Sequence, residues 1–171
     1  NAHLKVALDA VNSVGGIIMP RLLERLGVEC VCVNCEPTGE FAHNPEPLPS
    51  NLVELCEAVV ANGADFGISV DPDVDRLALI CENGQPFGEE YTLVSVADYL
   101  LSRIYNEALA TGKSIEEIAA PYQMVTSSNL SSSRALRDVT EQYGGEYCTA
   151  AVGEVNVTTK MREAGALIGG E

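Results

Sequence analysis

The chain is poor in basic residues. Ten lysines and arginines stand against 25 aspartates and glutamates in 171 residues, giving a formal net charge of -15. They form no stripe suited to a phosphate backbone, so nucleic acid is not an expected partner. Outside one cluster the acids are scattered, as on a solvated surface. Also missing is any run near the roughly 20 uninterrupted apolar residues that a membrane span needs. The opening NAHLKVALDAV has neither the basic region nor the cleavage pattern of a secretory signal, so the expectation is a cytoplasmic protein without a membrane partner. Cysteine is present six times, but the spacing of a metal or redox framework is lacking. Cys32-Val33-Asn34-Cys35 is a C-x-x-C inside a strand-like run, with no second C-x-x-C or C-x-x-H downstream. Reduced structural thiols are expected. His3 and His43 are distant in sequence from the acidic cluster, and neither reads as a general base.

At 46% hydrophobic residues, the chain has enough apolar material for a large domain or two small ones. KVALDAV (5–11) reads as a strand. Asn12-Ser13 signals a helix start, VGGIIMPRLLERLG follows at helical spacing with Pro20 as a local misfit, and VECVCVN resumes as strand. Strand, helix and strand in under 40 residues is the pattern of a parallel crossover. A turn-rich loop (36–50) leads to Ser50 as the expected N-cap of a helix closed by Gly63. DFGISV (65–70) reads as a third strand, and RLALICENG as a fourth that turns at Asn83-Gly84. A helix over roughly 89–104 follows, then a linker at 111–113. After it the alternation restarts as APYQMVTS, SSSRALRDVTEQYG, EYCTAAV, EVNVTTKMREAG and ALIGGE. The expected fold is α/β: two consecutive α/β/α units with mixed, mainly parallel sheets, the second truncated on its last strand.

The cluster is in FGISVDPDVDR (66–76), where Asp71, Asp73 and Asp75 alternate with Pro72 and Val74 before Arg76. Side chains at i, i+2 and i+4 of an extended segment point the same way, so the three carboxylates converge. Two ionised carboxylates about 4 Å apart repel by about 4 kcal/mol at an effective dielectric of 20, and a divalent cation removes that cost. Hard oxygen donors suit magnesium, which keeps part of its octahedron for water or phosphate. Pro72 takes the stretch out of regular sheet, and open α/β sheets bind ligands beyond the carboxyl ends of their strands. Arg76 reads either as neutralising an aspartate or as a fork for a phosphate oxygen. An EF-hand also opens D-x-D-x-D, but its sixth position must be Gly and is Arg76, and its flanks must be helical. A phosphatase with Asp71 or Asp73 as nucleophile stays open, although the third carboxylate counts against it.

With these residues in view, VDPDVDRLALICENG resembles the metal-binding loop of the α-D-phosphohexomutases, the phosphoglucomutase/phosphomannomutase family. The likeness extends through Leu26-Gly27, FAHNPEPLPSNL and VGEVNVTTKMREAGALIGGE. It implies that residues 1–103 are the family's second domain and 104–171 the first part of its third. It implies interconversion of hexose 1- and 6-phosphates through a phosphoserine and a bisphosphorylated sugar, with magnesium on Asp71, Asp73 and Asp75. Arg76 would lie against the phosphoryl group, and Glu171 would open a loop that bonds sugar hydroxyls. The phosphoserine domain and the C-terminal domain would be further parts of the same protein, and a phosphorylated hexose its substrate. Phosphoglucosamine mutase is the alternative within the family; a stand-alone metal or phosphosugar binding module is the alternative outside catalysis. Three positions depart from the family pattern: Pro72 and Val74 stand where glycine or alanine is common, and Ala151 where many relatives have a basic residue. Ala42-His43-Asn44-Pro45 echoes the phosphoserine loop, but Ala42 occupies the nucleophile's place, and the segment reads as a structural loop.

Overall fold

The computed structural model describes residues 3–88 and 90–171 and divides the chain into two units between residues 89 and 90. In the first, β1 (Lys5–Asp9), α1 (Gly15–Arg25), β2 (Glu29–Val33), α2 (Val53–Asn62), β3 (Phe66–Val70) and β4 (Leu77–Cys81) follow in order. The sheet runs β2-β1-β3-β4, with β1 parallel to both neighbours and β4 antiparallel to β3. Alternation along β1 divides its apolar side chains between two layers. Val6 and Leu8 pack with Ile68, Val70 and Leu23 of α1, while Ala7 packs with Ile80 and with Leu55 and Val59 of α2. Burying both faces in this way is why these strands read as nearly continuous apolar runs.

The second unit contains α3 (Glu90–Thr111), α4 (Ile115–Ala119), β5 (Gln123–Asn129), α5 (Ala135–Gln142), β6 (Glu146–Ala150), α6 (Glu154–Ala164) and β7 (Ala166–Gly170). Its strands are parallel in the order β6-β5-β7. Val94, Ala97 and Leu101 of α3 meet Leu136 of α5 in one buried cluster. A Cβ on Gly169 would stand 2.7 Å from the Met161 sulfur, so α6 lies close against β7 because that strand carries glycine.

The mixed, mainly parallel architecture in two units is the expected one, but several local expectations are corrected. The boundary expected at 103 falls inside α3, which belongs to the second unit because its apolar face packs on α5. Its expected start at Glu89 lies outside the described residues. Thr111 ends that helix instead of opening a linker, and α4 follows, capped by Ser114 and Glu117 in a reciprocal box. The signal was legible in S-I-E-E, a Ser three residues before a Glu. Ser50 caps nothing: it lies in a short 3-10 turn (Pro49–Asn51), and α2 begins behind Leu52 without a side-chain cap. Pro20 sits inside α1, which continues to Arg25. Gly63 closes α2 in the left-handed conformation, as expected.

Candidate metal centre

β3 ends at Val70, buried in the first unit, and the chain must return as antiparallel β4 from Leu77. Six residues make that return, and the first, Asp71, organises them. Its side chain is only 8% exposed. Oδ1 accepts hydrogen bonds from the backbone N–H groups of Asp75 and Arg76, both at 3.0 Å, while the Asp71 carbonyl accepts from Val74 N–H at 3.1 Å. Closing the turn puts Val74 at φ +65°, a left-handed conformation that a β-branched residue adopts only under strain. Glycine would adopt this conformation without that strain.

Asp71, Asp73 and Asp75 each present a carboxylate oxygen within 4.8 Å of the others, the first buried and the other two exposed. Three hard oxygen donors at this separation fit a small divalent cation with open coordination positions. Their titration reflects the crowding. Burial pushes the Asp71 carboxyl up, but the Arg76 N–H, the hydrogen bonds shared with Asp75 and Asp73, and the Asp75 N–H together hold it below its ordinary value. The hydrogen bond with Asp71 and the charge of Asp73 push Asp75 up. Without a cation Asp71, the member seated deepest, thus holds its charge more readily than Asp75.

Two residues brace the loop from outside, and nothing in the sequence connects either with it. Ser13 donates its hydroxyl to the Pro72 carbonyl at 2.7 Å, so the residue expected to start a helix holds the acidic loop instead. Glu46 forms an ion pair with Arg76 Nη1 and pushes the guanidinium's proton affinity up. Arg76 Nε also lies 3.8 Å from Asp71 Oδ2. No spacing links 13, 46 and 72 in sequence; the sheet order β2-β1-β3 makes them neighbours. Glu171 lies in the second unit just past β7, where its carboxylate accepts from the Gly153 N–H at the start of α6. His43 packs against Asp9, away from the trio's bonds, as a structural residue. All six cysteines are free; Cys30 and Cys32 sulfurs stand 3.8 Å apart on edge strand β2.

Comparison with known proteins fixes the family. Residues 1–84 match the alpha/beta/alpha domain II of phosphoglucomutase/phosphomannomutase, and residues 92–171 match its alpha/beta/alpha domain III. The chain belongs to this family. A Thermococcus kodakarensis protein named phosphoglucomutase/phosphomannomutase is 35% identical over 167 residues, which cover 97% of this chain and 33% of that protein. A Methanopyrus kandleri protein named "Probable phosphoglucosamine mutase" is 31% identical over 98% of this chain and 34% of its own length. The crystal structure of a phosphoglucomutase/phosphomannomutase family protein from Burkholderia thailandensis superposes with a TM-score of 0.83 at 29% identity, over all of this chain and 34% of that one. The chain thus spans about a third of the length of the curated relatives it matches. The family boundary between the two domains, at 84–92, coincides with the division between the units rather than with residue 103.

Proposed function

We propose that the longer protein containing this chain is a magnesium-dependent phosphohexomutase that interconverts hexose 1- and 6-phosphates, and that this chain supplies its metal loop. The observation that carries the reading is the convergence of three carboxylates within 4.8 Å at the carboxyl end of a sheet strand. Asp71, Asp73 and Asp75 would hold the ion, which when bound supplies Lewis-acid stabilisation of charge on a transferring phosphoryl group. Arg76 would give that group a planar, permanently charged donor, and its attachment to Asp71 keeps it beside the trio. Asp71 is poorly placed as a nucleophile. Its Oδ1 already accepts two backbone hydrogen bonds, which argues for the mutase over a phosphatase using this residue. Glu171 would contact sugar hydroxyls.

The donor phosphoserine and the grip on the distal phosphate would come from the further length that relatives possess. Among sugars, glucose and mannose phosphates are favoured by the Thermococcus kodakarensis relative's name; the Methanopyrus kandleri relative keeps glucosamine phosphate as the second reading. The test is turnover of glucose 1-phosphate by the full-length protein, followed by phosphorus NMR. The 6-phosphate should form, and Asp73→Asn should slow it about 100-fold or more, the scale of several kcal/mol of metal stabilisation. Release of inorganic phosphate in place of the 6-phosphate, or unchanged turnover in Asp73→Asn, would overturn the proposal.

A further inference from the structure

The loop at 36–50 is built more rigidly than a connector between β2 and α2 requires, and its construction leads to Glu46. Its root is Asp9, fully buried at the end of β1. One Asp9 oxygen accepts from the Val11 N–H at 2.8 Å, and the other is met at 3.1 Å by both Asn34 Nδ2 and His43 Nε2. The other ring nitrogen of His43 lies 2.8 Å from the Asn44 carbonyl, so the ring fixes both the start of the loop and its own neighbour. A buried carboxylate needs such partners, and here they come from two separate segments of the loop region.

From this root the chain passes Pro45, Glu46 and Pro47. Proline fixes φ near -65° at 45 and 47, and Pro47 also confines Glu46 to extended backbone. Both backbone groups of Glu46 are bonded: its N–H donates to Asn44 Oδ1 at 3.1 Å, and its carbonyl accepts from Asn51 Nδ2 and from the Leu48 N–H, both at 2.8 Å. The only part of Glu46 left to move is its side chain, and that meets Arg76.

We propose that residues 43–51 form a bracket and that Glu46 is a positioning residue for Arg76. It holds Nη1 while Asp71 lies against Nε, which presents the remaining Nη2 to the phosphoryl group; the inference rests on the function proposed above for its ligand. The ion pair is more than half exposed at both ends, 56% and 53%, so it adds little to folding stability. Its worth is in orientation. A long arginine side chain that is already held loses less freedom when an anion arrives, and a fork fixed on two sides offers the third in one direction.

The experiment reads the arginine directly, in the metal-free chain, by heteronuclear NOE of the arginine Nε–H groups. Arg76 should be as rigid as the backbone, in contrast to Arg21 and Arg25, which have no ion pair among the described residues. Glu46→Ala should bring Arg76 to their level, Glu46→Gln should retain part of the order, and the amide signals of His43 and Asn51 should stay in place. Arg76 as mobile as Arg21 in the unaltered chain, or unmoved by Glu46→Ala, overturns the bracket. A second arm titrates inorganic phosphate in the presence of magnesium. Glu46→Ala should weaken phosphate about fivefold while magnesium affinity stays within twofold, the scale of one oriented charged contact. Unchanged phosphate affinity also overturns the positioning role. Failure of Asp73→Asn to weaken magnesium would instead strike the proposed function, and the arginine measurement judges the bracket separately.

Discussion

β3 and β5 are each flanked by two strands in their sheets, yet their carboxyl ends are chemically unlike. Beyond β3 the chain returns through six residues into antiparallel β4, and the turn closed between Asp71 and Val74, not an extended path, gathers Asp71, Asp73 and Asp75. Beyond β5 it enters a turn leading to α5, and Asn129 spends its side-chain Oδ1 on the N–H and hydroxyl groups of Ser131 and Ser132, each at 2.9 Å. Two hydroxyls of β5 are likewise turned inward, Thr126 bonding Thr140 at 2.6 Å and Ser128 bonding Tyr147 at 2.8 Å, while the buried Ser127 hydroxyl has no partner among the described residues. A return by hairpin leaves strand-end polar groups to a ligand, whereas a return by helix consumes them in local capping. Two strands flanked on both sides therefore end in one ion-binding candidate and one turn bonded to its own side chains.

This contrast can be broken in order of expected effect. The two cores should be equivalent: Leu55→Ala and Leu136→Ala, both at fully buried positions, should each cost about 2–5 kcal/mol in chemical denaturation. The strand ends should not be. Asp71→Ala strands two N–H groups and should cost about 1–3 kcal/mol while abolishing magnesium binding; Asn129→Ala should cost a similar amount and leave the ion untouched. On the first unit's edge strand and just beyond it, burial first and the neighbouring Cys32 next push the Cys30 and Cys35 thiols up to about 12. At pH 8 both remain protonated, and peptide mapping after iodoacetamide should find exposed Cys32 alkylated well before them. Smallest of all, Val74→Gly should change stability by less than about 1 kcal/mol, because relief of a left-handed valine offsets its lost packing.

The sequence made the local elements legible wherever periodicity and punctuation agreed, as in β1, β3 and the Gly63 stop. The acidic trio was legible for the same reason, since an i, i+2, i+4 spacing is a statement about one short segment. What failed was long-range. Ser13 looked like a helix signal because nothing local reveals that β1 and β3 are adjacent and bring Pro72 to it. Glu46 looked like one acid among 25 because its partner is 30 residues away. The boundary at 103 was misplaced because a helix's chain position does not say which sheet its apolar face covers, and α3 meets α5.

The central claim is that the acidic trio gathers to hold a divalent ion. Calorimetric titration of magnesium into this chain tests it most directly, with Asp73→Asn as the comparison and the amide spectrum as the check on folding. One ion should bind the unaltered chain, and the variant should bind it at least about tenfold more weakly with an unchanged spectrum, the loss of one charged ligand. Equal affinity in the two proteins would contradict the account.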